Sequence, residues 1–180
     1  NGIIFANAGA MISAESANKI IDMIEADALQ IHLNVPQEVI MSEGDRCFEG
    51  YLSNIEKLAK DVEIPIIVKE VGFGISGNTA KVLEDIGVKA IDIGGRGGTN
   101  FIKIESMRSR VNINRNFLQW GIPTGISLVE CIKSTTGKLD IMASGGIWDG
   151  VSIAKALSLG ADSVGIAGFL LYLLVNEGES

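Results

Sequence analysis

The chain has a single histidine, two cysteines, fewer basic than acidic residues and no long apolar run, and each scarcity narrows what it does. Cys47 and Cys131 stand in no CxxC or metal-type spacing. One disulfide adds little to a chain of this size, so both are read as reduced thiols of a cytoplasmic protein. Fifteen Lys and Arg against 22 Asp and Glu leave a net charge of −7. That balance speaks against nucleic acid or an anionic membrane surface as partner, because phosphate contacts need a basic face. No charged segment followed by an apolar core opens the sequence, and no apolar run approaches the ~18 residues of a membrane span. Any anionic ligand must be met by local groups.

What is present is a repeating beat. With 180 residues and 47% hydrophobic content, the chain is read as a single domain over 1–180 with one sizeable core. Short β-type apolar runs at 2–5, 28–33, 64–68, 90–93, 140–143 and 163–166 alternate with amphipathic stretches at 15–25, 51–60, 78–86, 128–134, 150–159 and one beginning near 169. Strands apolar on both faces, alternating with helices of about ten residues, predict an α/β fold with a parallel, helix-covered sheet. Ile86-Gly87-Val88 and Leu159-Gly160-Ala161 repeat one punctuation: helix, glycine just past its end, short turn, strand. Six units are two short of a closed (β/α)8 barrel of about 250 residues, so the 180 residues are expected to be part of a larger barrel. The connections at 34–50 and 94–121 are longer than structureless links usually run and are candidate lids.

Glycine clusters follow strands rather than helices, which puts the chemistry on the rim at the strands' carboxyl ends. Ser144-Gly145-Gly146-Ile147-Trp148 opens a helix, and Ala167-Gly168 ends the next strand. Exposed N–H groups at a helix start bind phosphate, so this pair predicts a phosphate grip, against the plainer reading of tight turns. Lys69 ends an aliphatic strand and needs a partner. A salt bridge to Glu70, a Schiff-base nucleophile and a positive charge beside an anionic cofactor are the open readings. Gly94-Gly95-Arg96-Gly97-Gly98-Thr99 is not the GxGxxG dinucleotide fingerprint, and Thr99 reads alone as a helix cap. Asn7 reads as a turn or cap residue. Lys103, Arg108, Arg110 and Arg115 make one loop locally basic and are read as solvated. Trp120 and Trp148 are read as packing or rim residues, and the apolar run 170–175 as the buried face of the last helix. The densest polar group is His32-Leu33-Asn34-Val35-Pro36-Gln37-Glu38, directly after an apolar strand. His, Asn and Gln supply donors and acceptors, and Glu38 a hard carboxylate, for a polyanion with its metal.

Taken with Glu43-Gly44-Asp45-Arg46, Val68-Lys69-Glu70-Val71-Gly72-Phe73-Gly74, Gly95-Arg96-Gly97-Gly98-Thr99, Trp120-Gly121-Ile122-Pro123-Thr124 and Ala143-Ser144-Gly145-Gly146-Ile147, that segment resembles type 2 isopentenyl diphosphate isomerase, an FMN-dependent (β/α)8 family. The motifs run in the family's order over nearly the whole chain. The resemblance implies interconversion of isopentenyl and dimethylallyl diphosphate by proton transfer, with reduced FMN as acid-base cofactor, NADPH to reduce it, Mg²⁺ on the substrate diphosphate and a homo-oligomeric enzyme. Carried over residue by residue, it implies that Gln37 is catalytic, that His32, Asn34 and Gln37 contact substrate, and that Glu38 binds the metal. Asn7, Lys69, Thr99, Gly146, Ile147, Trp148, Ala167 and Gly168 are implied as flavin contacts. Trp148 stands where arginine is common, and the family's two leading strands have no counterpart in these residues, so weak or no activity is expected of them alone. The competing readings are an FMN oxidoreductase of the hydroxy-acid oxidase type, which needs a base histidine in a late loop, and an inactive barrel fragment.

Overall fold

A computed structural model describes residues 2–109 and 113–178. Among them six strands form one parallel sheet: β1 (Phe5–Gly9), β2 (Ala28–Leu33), β3 (Ile66–Glu70), β4 (Ala90–Asp92), β5 (Asp140–Ala143) and β6 (Ser163–Val164). Their spatial order is their chain order. A doubly wound sheet reverses direction at a switch point; this one never does. Right-handed crossovers that always step the same way leave every helix on one face, and the other face is open.

The connecting helices are α1 (Ala14–Ile24), α2 (Val35–Ile40), α3 (Tyr51–Asp61), α4 (Gly77–Asp85), α5 (Phe101–Ser109), α6 (Arg115–Leu118), α7 (Thr124–Ser134), α8 (Gly150–Ser158) and α9 (Gly168–Glu177). Leu29, Ile31, Ile66, Val68, Ile91 and Ile141 point from the covered face into one core with Ala17, Ile55, Leu58, Leu83 and Leu128 of the helices. Ser13 and Ser76 cap α1 and α4 by accepting from Ser16 N and Thr79 N, each satisfying an otherwise orphaned donor. The two glycine stops behave as read: Gly87 and Gly160 have φ of +92° and +108°. The N–H of the next residue reaches back to Leu83 and Ala156 respectively, as a Schellman ending requires.

Several expectations need correction. The open face is mixed rather than apolar throughout, because in-register partners share a face: Gly9, His32, Lys69, Asp92, Met142 and Ser163 form one cross-strand row on it, with Phe5, Ala28, Ile67 and Ala90 on the same side nearer the strands' amino ends. β1 runs over Phe5–Gly9, not 2–5, so Asn7 lies within a strand. Ile3 and Ile4 are exposed, while the small Ala6 and Ala8 fit beneath the helix layer. β3 begins after Pro65, which has no N–H for the ladder, and extends to Glu70. The long connections are not structureless, since α2 lies within 34–50 and α5 and α6 within 94–121. Helix α7 starts at Thr124, four residues before the expected start. Residues 170–175 of α9 are not a buried face. Leu170, Leu171 and Val175 are exposed, since no described residue lies over them.

Candidate active site

The strands' carboxyl ends open into two adjoining cavities. The first, about 480 Å³, is lined by Lys69 and Asp92 from β3 and β4, by Thr99, and by Gly146, Ile147 and Trp148 after β5. Ala167 and Gly168 at the start of α9 complete its far end. The second, about 430 Å³, is lined by Asn7, His32, Asn34 and Glu38 with Asp45 and Tyr51. All the expected flavin contacts except Asn7 therefore share one cavity, and the expected metal ligand shares the other with His32 and Asn34. Gln37 lines neither.

The cavities are joined through the open face. Asn7 Nδ2 donates to Gln30 Oε1 at 3.1 Å, and Gln30 lines the first cavity. With its amide nitrogen so committed, Asn7 Oδ1 accepts from the Nδ1–H of His32 at 2.8 Å. That tautomer leaves Nε2 of His32 as the free nitrogen.

Helix α2 is built for exposure of its first turn. Pro36 sits at its start, where a missing N–H costs nothing. Asn34 Nδ2 donates to Glu38 Oε1 at 2.6 Å and the Asp45 N–H donates to Oε2 at 2.9 Å, which fixes the carboxylate. Arg46 closes the other end by donating to the carbonyls of Glu38 and Met41, both at 2.5 Å. On the far side, Gln37 Nε2 donates to the buried Glu105 of α5 at 3.1 Å. Glu105 also accepts from Arg108 Nε at 2.7 Å, and Arg108 pairs with Glu43. Hydrogen bonds from Ser42, from Glu43's own backbone and from Arg108 hold Glu43 down to about 2. Both carboxylates raise the Arg108 guanidinium. Arg108 is thus half exposed, as a solvated cation is, and at the same time bridges helix and loop; Lys103 and Arg115 are exposed, and Arg110 lies outside the described residues. Tyr51 is pushed up, first by burial and then by the charges of Asp45 and Glu38.

Lys69 pairs with Asp92, not Glu70. Its Nζ lies 2.5 Å from Asp92 Oδ2, because the two residues are in register on one face whereas Glu70 alternates to the other. Glu70 Oε2 accepts instead from the N–H groups of Val71, Gly72 and Phe73 at 2.7, 3.1 and 2.7 Å. Burial outweighs those donors and raises its carboxyl to about 7.

The glycine clusters divide between two roles. A Cβ on Gly145 would stand 2.1 Å from the Gly95 carbonyl oxygen, and one on Gly146 2.4 Å from Gly97. These glycines let the β4 and β5 loops touch through bare backbone. Thr99 is not a helix cap: Asn100 Oδ1 accepts from Lys103 N at the start of α5, while Thr99 faces the cavity. The start of α8 is closed to an anion, since Asp149 accepts from Ser152 N at 2.6 Å and those bonds lower its carboxyl. The start of α9 differs. Ala167 provides no side-chain cap, so the first-turn N–H groups of that ten-residue helix are left for a ligand. Trp148 is half exposed with its ring against Gly168, a rim residue. Trp120 is also exposed, its ring stacked on Phe117 at 6.0 Å between centroids.

Sequence reading missed Gln30, Asp92 and Glu105, and it named Ser144 within the glycine motif without foreseeing its bond to Asp92. Asp92 carried no local signal, since only the register of β4 against β3 places it beside Lys69 and not beside Glu70, which ends β3. Glu105 carried none, because α5 shows no apolar stripe against which a buried carboxylate stands out. Among the described residues, no cluster of three or more His, Cys, Asp or Glu side chains is arranged to hold a metal, and no helix is long and apolar enough to cross a membrane.

A glycine-lined cavity at the strand ends, with a lysine at one end and an uncapped helix start at the other, suits a phosphorylated cofactor. A family model described as FMN-dependent dehydrogenase matches residues 15–180. The chain belongs to this family. This FMN-dependent dehydrogenase family member is 54% identical to an isopentenyl-diphosphate delta-isomerase of a Geobacillus species, 52% to that of Bacillus licheniformis and 47% to that of Listeria monocytogenes. Each alignment covers 99% of this chain and 50% of the relative. The chain spans about half the length of these relatives, and the resemblance read from the motifs is borne out over all but a few of its residues.

Proposed function

We propose that this chain forms the larger part of a (β/α)8 barrel that binds FMN in the first cavity and isomerises isopentenyl and dimethylallyl diphosphate, with Mg²⁺ held at the second. The observation that carries the reading is that both cavities open on the same rim and meet across the His32–Lys69 pair of β2 and β3. The residues present fit FMN. The uncapped start of α9 suits the phosphate, the backbone of Gly145 and Gly146 admits close approach, and Lys69 offers the ring a cation whose own counter-charge, Asp92, is buried.

When bound and reduced by NADPH, FMN supplies an electron-rich ring able to exchange a proton with the substrate. Protonating an unactivated alkene creates a tertiary cation, so the site must exclude water and face the carbon with negative or dipolar groups. Gln37 suits that task. Its Nε2 donates to Glu105 on the far side of α2 and its side chain lines neither cavity, so it meets substrate only by turning away from α5. An amide is no strong acid, so Gln37 orients and stabilises rather than protonates. Glu38, already fixed by Asn34 and Asp45, is the hard ligand that shares Mg²⁺ with diphosphate oxygens. His32 Nε2 and Asn34 meet the same anion.

The hydroxy-acid oxidase reading is not favoured, because the single histidine lies on β2, away from the late loops. The test is direct. Purified protein is titrated with FMN, then assayed with NADPH, Mg²⁺ and isopentenyl diphosphate, as wild type and as Glu38→Gln. Uptake of FMN with isomerisation abolished by the substitution is expected. No uptake removes the flavin site, uptake without turnover leaves a cofactor-binding fragment, and turnover indifferent to Glu38→Gln removes the metal role.

A further inference from the structure

We propose that Asp92 is a positioning residue for the cofactor: it holds the Lys69 ammonium against the floor of the first cavity and locks that pair to the β5 loop through Ser144. The inference rests on the FMN reading of this cavity. Asp92 is almost fully buried, and both of its oxygens are engaged. Oδ2 meets Lys69 Nζ at 2.5 Å, while Oδ1 accepts from the Gly94 N–H at 3.1 Å and from Ser144 Oγ. Ser144 Oγ also lies 3.5 Å from Lys69 Nζ, so lysine, aspartate and serine close a ring that bridges β3, β4 and the β5 loop. Of these, the Lys69 side chain is partly exposed, at 27%, and faces the cavity.

A lysine at a cavity wall has four rotatable carbons and, unrestrained, spreads its charge over several ångströms. Asp92 removes that freedom from a nearly buried position, with each of its oxygens already hydrogen-bonded. The in-register placement of Lys69 and Asp92 keeps the geometry through the backbone ladder rather than through side-chain packing alone. Asn at position 92 is the informative change. Its one amide oxygen keeps the Gly94 and Ser144 hydrogen bonds only by turning the NH2 group toward the ammonium, which releases Lys69.

The direction of the effect separates positioning from bulk charge. Deleting a negative charge beside the flavin makes its reduction easier, whereas losing a placed cation makes it harder. In FMN-loaded protein, Asp92→Asn and Lys69→Met are each expected to lower the flavin midpoint potential by the equivalent of a tenfold change in relative affinity for the reduced form, about 30 mV for two electrons. Adding Asp92→Asn to Lys69→Met is expected to lower it no further. An unchanged or raised midpoint in Asp92→Asn, or an equal drop in the Lys69→Met background, overturns the proposal. A cofactor-free readout stands beside it. In wild type, Lys69 is expected to be acylated at least tenfold more slowly than exposed Lys19, and Asp92→Asn is expected to remove most of that difference; equal labelling in wild type overturns the hold even if the variant does not fold. If wild type takes up no FMN, the cavity reading fails and the cofactor role with it, while the labelling still decides whether Asp92 restrains Lys69.

Discussion

Glu70 gives this protein a pH dependence of unusual sign. The residue is 7% exposed and its carboxyl is raised to about 7 from the ordinary 4.5. Below 4.5 it is protonated folded or unfolded and contributes no slope. Between 4.5 and about 7 the unfolded chain releases the proton and the folded chain keeps it, so stability falls as pH rises through this window and levels off above it. The gap amounts to about 3 kcal/mol at 1.36 kcal/mol per pH unit, an upper figure that already includes the opposing pull of three backbone N–H donors. Glu70→Gln keeps an acceptor for those donors and cannot ionise. Urea unfolding of both proteins at half-unit steps from pH 4 to 8 isolates the effect, because other titrating groups cancel in the difference. Glu70→Gln is expected to gain on wild type steadily between pH 4.5 and 7, by about 3 kcal/mol in all. Parallel curves across that window would refute the reasoning and mean that the N–H donors hold the carboxylate ionised despite its burial.

Three further outcomes are expected. Gly145→Ala forces a Cβ to 2.1 Å from the Gly95 carbonyl oxygen at a φ of +103° and should cost about 2–5 kcal/mol in chemical denaturation, whereas Gly125→Ala in α7, with nothing within 4 Å, should gain about 0.5–1 kcal/mol. Glu105→Ala strands Gln37 and frees Arg108; it should cost about 1–2 kcal/mol, mostly from the part-buried Gln37 hydrogen bond because Arg108 is half exposed and hydrated, and should lower isomerisation by as much as Gln37→Ala does, with no additional loss in the double variant. Ala167→Asp supplies the missing cap to α9 and should leave thermal stability equal or higher while weakening FMN binding at least tenfold, measured by fluorescence quenching; unchanged affinity would place the phosphate elsewhere.

Much of the architecture was legible from the residues alone. Hydrophobic runs of strand length, each followed by an amphipathic stretch and a glycine stop, determine six β/α units, because a chain at Gly87 or Gly160 has to turn and only glycine enters that conformation freely. The rim with the glycine clusters followed from the same order. What periodicity does not carry is which strand residues share a face with which, since that depends on register between segments some 20 to 50 positions apart. Register decided that Lys69 meets Asp92 and not its neighbour Glu70, that Asn7 lies inside a strand against His32, and that His32, Lys69 and Asp92 line up in one row on the open face. Loop packing decided the rest: Gly145 touching Gly95, Asp149 closing α8 while α9 stays open, and Gln37 turned toward Glu105 by a helix 68 residues away. These contacts join segments with no local preference for one another, and only the folded sheet brings them within hydrogen-bond reach.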